Sequence, residues 1–553
     1  MRINGSQLLA EVLLEHGVDT VFGYPGGAAL NLYDVLYQYS DKIKHVMAAH
    51  EQGAAHAADG YSRTTGKTGV VFATSGPGAT NLVTGIATAF MDSIPMIAIT
   101  ANVPDNLIGR DAFQEISITS VTMPITKHNY FVNRIEDLEP ALRNAFRIAN
   151  SGRKGPVLID ITKDVTAAMI DYKKGEPLPL DKNPVASDEE VQIIADMINQ
   201  AERPVVYFGG GVMASDAGAE LNELLEIADI PATYTLMAAG ILGYDNHRNL
   251  GLIGMHGSIA SNRAVDRADL LISLGCRFSD RVALNPKKFA KRAKKIQVDI
   301  DKSELNKNVL VDVSVVSDIK PFLQKLLPLI EKRDHAEWVA QATEWKNKSG
   351  DIKCQEAELH PSEIVTTVCD LTDKETIYVT DVGQHQMWTA QYLKHENTRK
   401  FVTSGGLGTM GFGYGAAIGA QIGNPEKRVI HFTGDGSFHM NLNEAATAVS
   451  HELPIITVIM NNKVLGMVYQ WQTIFYGKRY SSTTPDRKTD FPKLAEAFGA
   501  KGFSASTPAE FEEVFKKALQ EKGPVWSDCA IAKEERVLPM IPGGGTVEDM
   551  IIG

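Results

Sequence analysis

The chain has 553 residues, of which 44% are hydrophobic and 22% charged, and its formal net charge is −12. At about 150 residues per domain, this length predicts three or four domains, each large enough to bury a core. The excess of acidic side chains argues against a nucleic-acid partner, which would require clustered Lys and Arg. The four cysteines lie far apart and form no CxxC pair. This spacing is typical of reduced thiols in a cytoplasmic protein.

The N-terminal segment predicts a helix of a globular domain. No window reaches about 18 uninterrupted apolar residues, so we expect no membrane span. The stretch MRINGSQLLAEVLLEHG carries acidic residues within its apolar run and lacks a small-residue cleavage site, so we expect no signal peptide. We expect an amphipathic helix that Ser6 caps and Gly17 ends.

Short β-rich runs alternate with helical runs along the chain, which predicts parallel sheets covered on both faces. Polar stretches at 173–190 and 345–363 are interpreted as linkers between three such blocks. The expected fold is therefore α/β, with three doubly wound parallel-sheet domains. The strand candidates are DTVFGYPG, KHVMAAH, TGVVFATSG, PMIAITA and GPVLIDI, then RPVVYFGGG, DLLISLG and KKIQVDID, then ETIYVTD, KRVIHFTGDG, LPIITVIMNN and PVWSDCA.

The segment 428–462 combines a strand, a Gly-Asp-Gly turn, a helix and a strand ending in Asn-Asn. A right-handed βαβ crossover would bring Asp435 and Asn462 to the same carboxyl edge of a sheet. Their side-chain oxygens suit Mg²⁺, while Gly436 and Ser437 could contact phosphate oxygens. Either dipeptide alone is more often a surface turn. Together, their spacing resembles the diphosphate–Mg²⁺ motif of thiamine diphosphate (ThDP) enzymes.

ThDP chemistry also requires a carboxylate at the pyrimidine ring of the cofactor. Glu51, in AAHEQGAAHAADGYSR, follows a predicted strand and begins a predicted helix. The alternative reading is a helix-start glutamate stabilised by the helix dipole. The small residues that follow Glu51 favour a helix packed closely against a cofactor or another subunit.

Motifs over nearly the whole chain resemble the FAD-containing acetohydroxyacid synthases, the large catalytic subunits of acetolactate synthase. They are GYPGGAALNLYD, AAHEQGAAHAADGYSR, TSGPGATN, AFQE, GMHG, RFSDRV, TSGGLGTMGFG, GDGSF and LGMVYQWQTIFYG. The resemblance implies the domain organisation of ThDP-dependent 2-ketoacid enzymes. It predicts a pyrimidine-binding domain (1–172), a central FAD domain (189–335), a diphosphate- and Mg²⁺-binding domain (360–535) and a C-terminal tail (536–553).

The same resemblance implies the reaction and its residues. Pyruvate is expected to be decarboxylated and joined to a second pyruvate, giving 2-acetolactate, or to 2-ketobutyrate, giving 2-aceto-2-hydroxybutyrate, in branched-chain amino acid biosynthesis. Glu51 would activate the cofactor, Met410 would support its bent shape, and Trp471 would favour the larger second ketoacid. Further family positions are Gly27, Phe113, Gln114, Lys163 and Arg281 for substrate and catalysis, Gly383, Gln384, His385, Gly408, Gly436 and Ser437 for ThDP, and Asp435 and Asn462 for Mg²⁺.

The central block carries the expected flavin site, with FAD in a structural role that is not redox. The triple glycine after VVYF is weak evidence alone but coincides with further family positions. These are Gly209, Gly210, Gly211, Thr235, Leu236, Met237, Gly254, Met255, His256, Gly275, Arg277, Asp299, Ile300 and Asp318. The resemblance also implies a homodimer or tetramer and allows for a small regulatory subunit. A flavin-free catabolic acetolactate synthase, another ThDP decarboxylase or oxidase, and an inactive ThDP-fold binding protein remain alternatives.

Overall fold

The computed structural model describes residues 1–347, 354, 358–394 and 398–552. It contains three six-stranded sheets whose paired strands all run parallel. The α/β class with three parallel-sheet domains is therefore confirmed. Residues 348–353 and 355–357 of the stretch at 345–363, interpreted as a linker, lie outside the described residues.

The first sheet has the strand order β3-β2-β4-β5-β7-β6, and a short antiparallel pair, β1 and β8, lies apart from it. Its elements are β1 (Arg2–Asn4), α1 (Gly5–Glu15), β2 (Thr20–Gly23), α2 (Leu30–Gln38), β3 (Lys44–Met47), α3 (Glu51–Thr65), β4 (Gly69–Ala73), α4 (Pro77–Asn81), α5 (Val83–Asp92), β5 (Met96–Asn102), α6 (Ile118–Thr122), β6 (His128–Val132), α7 (Ile135–Asn150), β7 (Pro156–Thr162), α8 (Lys163–Ala167) and β8 (Met169–Asp171).

The second sheet has the order β11-β10-β9-β12-β13-β14. Its elements are α9 (Asp188–Gln200), β9 (Pro204–Phe208), α10 (Gly210–Ala214), α11 (Gly218–Ile227), β10 (Ala232–Tyr234), β11 (Asn249–Leu252), α12 (Ile259–Arg267), β12 (Leu270–Leu274), β13 (Lys294–Asp299), β14 (Val313–Val316), α13 (Ile319–Leu326) and α14 (Ala336–Asn347).

The third sheet has the order β16-β15-β17-β18-β20-β19. Its elements are α15 (Pro361–Leu371), β15 (Ile377–Thr380), α16 (Gln384–Tyr392), β16 (Phe401–Val402), α17 (Phe412–Gly423), β17 (Val429–Gly434), α18 (Asp435–Phe438), α19 (Ala445–Ser450), β18 (Ile456–Asn461), α20 (Gly466–Phe475), α21 (Phe491–Phe498), β19 (Lys501–Ala505), α22 (Pro508–Ala518) and β20 (Val525–Ala530).

Apolar residues cover both faces of the first sheet. Along β4, Val71 and Ala73 pack in one apolar cluster, whereas Val70 and Phe72 pack in another. Because successive side chains of a strand point to opposite faces, a strand without polar alternation must be covered on both sides. This arrangement places the loops after the carboxyl ends of the strands along one edge of the sheet, where ligands of such sheets bind.

The first and third domains meet through glycine-rich faces of α3 and α17. A Cβ atom on Gly60 would overlap the carbonyl oxygen of Ala416, and one on Gly419 would overlap the carbonyl oxygen of Ala57. The two helix backbones therefore touch directly. The small residues noted after Glu51 serve this contact between domains.

The N-terminal helix begins earlier than expected. The side chain of Asn4, rather than Ser6, accepts the amide hydrogen of Gln7 at 2.8 Å, and the Gln7 side chain accepts from the Asn4 amide. The prediction of Ser6 as the cap was therefore wrong, since the Ser6 hydroxyl instead donates to the carbonyl of Thr166 at 3.1 Å. Gly17 follows the helix end with φ of 70°. Among the described residues, no helix is both long and apolar enough to cross a membrane.

Candidate active site

Predicted site residues of the first domain follow the carboxyl ends of its strands. Gly27 follows β2, Glu51 follows β3, Gln114 follows β5, and Lys163 directly follows β7. The Lys163 ammonium donates to the carbonyl of Gly27 at 3.1 Å, so these two residues are brought together. A Cβ on Gly27 would meet no atom within 4 Å, so there is open space beside it.

Glu51 is buried at the start of α3, with 8% of its surface exposed. Its carboxylate accepts a hydrogen bond from the side-chain amide of Asn81 at 2.9 Å. A Cβ on Gly78 would lie 3.1 Å from the same carboxylate, which leaves no room for a larger residue there. The Glu444 carboxylate of the third domain accepts the backbone amides of Ala49 and His50 at 3.1 and 3.0 Å. The turn that presents Glu51 is therefore fixed by both domains.

The loop after β5 carries Phe113 and Gln114. Phe113 is 88% exposed. Gln114 has a φ of 62°, a left-handed conformation that is uncommon for residues other than glycine. Its backbone packs so closely on Gly76 that a Cβ there would lie 2.9 Å from the Gln114 Cα.

Arg281 lies elsewhere on the surface. Its guanidinium is exposed and sits 3.6 Å from the Asp280 carboxylate. Its carbonyl accepts the amide hydrogen of Met255 at 2.8 Å, which places it beside one of the predicted flavin positions.

At the third sheet, β17 and β18 are parallel neighbours, and Asp435 and Asn462 directly follow them. Both side chains are buried. Burial raises the pKa of Asp435 to about 6, against the opposing effect of Arg487. A buried carboxylate with a raised pKa is one that a bound cation would stabilise.

The start of α16 lies beside this pair. The Gln384 side chain accepts from the Asn462 side-chain amide at 3.1 Å and donates to Gln470 at 2.9 Å. His385 is buried, and its Nε2 has no hydrogen-bond partner in the described part of the chain. Burial lowers the pKa of His385 to about 4, so its imidazole is neutral. A Cβ on Gly434 would lie 2.9 Å from the His385 Nδ1.

These residues fit a diphosphate with a metal ion. Within the described ranges, no group of three or more His, Cys, Asp or Glu could hold a metal ion. Asp435 and Asn462 alone supply two oxygen ligands, so Mg²⁺ here would take further oxygens from phosphate and water, as it commonly does. The unpartnered His385 nitrogen and the glycines at 383 and 434 leave a polar, narrow space suited to phosphate oxygens. The Ser437 hydroxyl accepts the Gly411 amide hydrogen at 3.1 Å.

Asp381 has a central place in this edge that sequence reasoning missed. Its fully buried carboxylate accepts from the Gly413 amide at 2.8 Å and the Thr433 hydroxyl at 2.7 Å, and it lies 3.2 Å from the His431 Nε2. Burial alone would raise the pKa of Asp381, but the His431 hydrogen bond and the Gly413 amide outweigh it and lower the pKa to about 2. Asp381 thereby links the end of β15 to β17 and to the first turn of α17. Its position at the end of the strand ETIYVTD was the available signal.

Gly408 and Met410 follow the edge strand β16. Gly408 has a φ of 70°, and Met410 is half-buried. Trp471, on α20, packs in an apolar cluster with Met255 of the central domain and with Leu538 and Met540 of the C-terminal tail. The tail thus joins the central domain to the helix that carries Trp471.

All predicted flavin residues lie at or after the carboxyl ends of strands in the second sheet. Its six strands, β9 to β14, end at residues 208, 234, 252, 274, 299 and 316. Gly211 donates its amide hydrogen to the carbonyl of Gly275 at 3.1 Å, so the two glycine turns pack against each other. His256 is buried there, its Nδ1 has no partner among the described residues, and burial lowers the pKa of His256 to about 4. The residues concerned are Gly209, Gly210, Gly211, Thr235, Leu236, Met237, Gly254, Met255, His256, Gly275, Arg277, Asp299, Ile300 and Asp318.

Some of these flavin positions also hold the domains together. The Arg277 guanidinium donates to the carbonyl of Met91 in the first domain at 2.8 Å. Asp318 accepts from the side chains of Ser215 at 2.5 Å and Asn183 at 2.7 Å. The edge fits a dinucleotide, because backbone turns without side chains and an unpartnered buried nitrogen converge there.

Comparison with known proteins agrees with this geometry. Family models of thiamine pyrophosphate enzymes match the chain three times: the N-terminal TPP binding domain at residues 3–121, the central domain at 191–326 and the C-terminal TPP binding domain at 381–529.

Curated relatives cover almost the whole chain. A probable acetolactate synthase large subunit of Methanocaldococcus jannaschii is 44% identical over 566 residues, covering 99% of this chain and 95% of the relative. The acetolactate synthase large subunit of Porphyra purpurea is 44% identical over 563 residues, with 99% and 95% covered. The acetolactate synthase isozyme 1 large subunit of Escherichia coli K12 is 43% identical over 556 residues, with 100% and 98% covered. The chain therefore belongs to the thiamine pyrophosphate enzymes and, within them, to the family of acetolactate synthase large subunits.

Proposed function

We propose that this chain is the catalytic subunit of a biosynthetic acetolactate synthase. It would decarboxylate pyruvate and join the two-carbon unit to a second pyruvate or to 2-ketobutyrate. The observation that carries the proposal is the buried Glu51 at one sheet edge, together with the buried Asp435 and Asn462 at another. The full-length similarity to acetolactate synthase large subunits supports the choice of reaction.

Thiamine diphosphate, when bound, supplies a nucleophilic carbon that accepts the acyl unit of a 2-ketoacid. The Glu51 carboxylate would hold a proton at the pyrimidine ring nitrogen, and Asn81 orients it. Asp435 and Asn462 would hold Mg²⁺, and Gly383, Gln384, His385, Gly408, Gly436 and Ser437 would contact the cofactor. Met410 would press between its rings, a role suited to a flexible, polarisable side chain.

The substrate positions are part of the proposal. Lys163 and Arg281 would pair with the carboxylate of a 2-ketoacid, and Gly27, Phe113 and Gln114 would line its path. Trp471 would contact the extra methyl of 2-ketobutyrate. These side chains would also have to exclude water from the site, because water would compete with the second 2-ketoacid.

The central domain would bind FAD in a structural role, along the strand ends described above. The dinucleotide would contact backbone turns at 209–211 and 275, with His256 and Asp318 as polar partners. Burial raises the pKa of Asp299 to about 6, so this carboxyl also lies in a site poor in water.

The assembly and the domain roles are proposed as follows. Residues 1–172 bind the pyrimidine end, 189–335 bind FAD, 360–535 bind the diphosphate and Mg²⁺, and 536–553 form the tail. The exposed Phe113 supports a homodimer or tetramer around the site. The word "large" in the relatives' names supports a small regulatory partner. Four unpaired cysteines support a cytoplasmic location.

A product assay with pyruvate, ThDP and Mg²⁺, with and without added FAD, tests the proposal. We expect 2-acetolactate as the main product, and a second product when 2-ketobutyrate is added. Full activity of flavin-free protein would instead identify a flavin-independent synthase. Acetaldehyde or peroxide as the main product would identify a decarboxylase or an oxidase. A Glu51→Gln variant with unchanged turnover would contradict the assigned chemistry.

A further inference from the structure

The carboxylate of Asp92 binds a glycine pair of another domain. Asp92 ends α5 of the first domain, and its side chain is completely buried. Its Oδ1 accepts the amide hydrogen of Gly406 at 2.7 Å, and its Oδ2 accepts that of Gly405 at 3.1 Å. These glycines lie in the segment between β16 and α17, which we call the 403–410 segment and which ends in Met410.

A second charged side chain, that of Arg63, binds the same segment. The buried guanidinium of Arg63 donates to Asp92 at 2.8 Å and to the carbonyl of Thr403 at 2.8 Å. It also pairs with Asp59. Burial alone would lower the pKa of Arg63, but the two carboxylates outweigh it and raise the pKa above its usual value. This permanent positive charge holds the Asp92 carboxylate in its orientation toward the amides.

The 403–410 segment is held at several points. A Cβ on Gly406 would lie 2.8 Å from the Asp92 Oδ1, and one on Gly405 would overlap the sulfur of Met237. The hydroxyls of Thr409 and of Thr88 in α5 are 2.7 Å apart. The last residue before Met410 is therefore also tied to the first domain.

We propose that Asp92 is a positioning residue for thiamine diphosphate, acting through the 403–410 segment on Met410. This inference rests on the proposed function, which assigns Met410 to the cofactor. The two amide hydrogen bonds end on the segment itself and not on a core strand, so their loss displaces the segment directly. The first domain would then act on the cofactor sites in two ways, with Glu51 at the pyrimidine and with Asp92 behind Met410.

The test compares Asp92→Asn with a matched control, Glu15→Gln. Glu15 is also buried in the first domain, lies 2.6 Å from Arg143 and accepts the Gly175 amide hydrogen at 2.7 Å, but it does not touch the 403–410 segment. An asparagine at position 92 keeps one acceptor and loses the charge. We expect the dissociation constant for ThDP with Mg²⁺ to be about tenfold larger, because the variant loses charge-assisted hydrogen bonds. We also expect an altered near-ultraviolet circular dichroism of the bound cofactor. The control should change neither.

A double-mutant cycle with Met410→Ala separates positioning from general destabilisation. If Asp92 acts through Met410, Asp92→Asn should weaken ThDP binding much less in the Met410→Ala background than alone. The effects of Glu15→Gln and Met410→Ala on the dissociation constant for ThDP should be independent, so that the double variant shows their product. Should Asp92→Asn fail to fold, Thr88→Val removes the hydroxyl that contacts Thr409 and that also donates to the Thr84 carbonyl within α5, and it is expected to weaken ThDP binding several-fold. Wild-type ThDP affinity in the folded Asp92 or Thr88 variants, or independent effects in the cycle, would overturn the inference. A wild-type protein that binds ThDP but forms no acetolactate would contradict the proposed function alone.

Discussion

Replacement of Asp435 by asparagine should stabilise the cofactor-free protein while abolishing its Mg²⁺-dependent cofactor binding. Burial raises the pKa of Asp435 from 3.8 to about 6, a rise of about two pH units. Each pH unit of pKa shift corresponds to about 1.4 kcal/mol. Above pH 6, ionisation of this carboxyl in the folded chain therefore lowers the free energy of unfolding by about 3 kcal/mol. The Asp435→Asn variant avoids this cost, because its neutral amide has the same shape.

The direction of the pH dependence follows from the raised pKa. Between pH 3.8 and about 6 the folded protein binds more protons at Asp435 than the unfolded chain does. This residue therefore makes the wild type less stable as the pH rises through that window. The stability advantage of Asp435→Asn should be near zero below pH 3.8 and reach its full size above about pH 6.

Urea unfolding of both proteins at several pH values, with and without ThDP and Mg²⁺, measures these quantities. At a ligand concentration of about 100 times the dissociation constant, the wild type should gain about 2.7 kcal/mol, whereas Asp435→Asn should gain almost none. A matched control, Glu426→Gln, changes an exposed carboxyl of the same domain and should alter neither value. A cofactor-free Asp435→Asn protein no more stable than the wild type at about pH 7.5 would refute the argument from burial. Persistent Mg²⁺-dependent binding would refute the site.

Three further changes probe other parts of the molecule. Glu51→Gln should lower kcat by about 10²- to 10⁴-fold in a pyruvate assay, because a neutral amide cannot move a proton, while ThDP binding by fluorescence titration persists. Trp471→Leu should reduce the preference for 2-ketobutyrate over pyruvate by at most about 10- to 200-fold, and an unchanged product ratio with mixed substrates would contradict its role. Gly419→Ala should lower the free energy of unfolding by more than about 2 kcal/mol, since its Cβ would overlap the Ala57 carbonyl oxygen. The control is Gly523→Ala, because a Cβ on Gly523 would meet no other atom within 4 Å. Equal stability of the two variants would refute the contact between Gly419 and Ala57.

The central strands of each sheet were predictable, and most of the edge strands were not. The predicted runs correspond to β2, β3, β4, β5 and β7, to β9, β12 and β13, and to β15, β17, β18 and β20. The missed members of the three sheets are β6, β10, β11, β14, β16 and β19, which lie at or next to the edges. Central strands are buried on both faces and read as continuous apolar runs. Edge strands such as KGFSA and FV are short or polar, so they lack that signal.

The positions of the candidate site followed from the sequence, but the contacts that support it did not. Asp435 and Asn462 directly follow adjacent strands, as the motif spacing predicted. Asp381 and Asp92 carry no local motif, and their partners lie many residues away along the chain. Only the folded arrangement brings those amides to their carboxylates. The Asn4 cap was missed for a simpler reason, since Asn4 and Ser6 lie only two positions apart and both residue types are good caps.

The crossing of α3 and α17 limits which substitutions the chain can accept at the contact. Where two main chains touch, no rotamer change or neighbouring substitution can make room for a new methyl group, so the usual compensating mutations do not exist. The separation between the first and third domains is therefore set by backbone contact at Gly60 and Gly419. Libraries built on this chain should therefore leave these two positions as glycine.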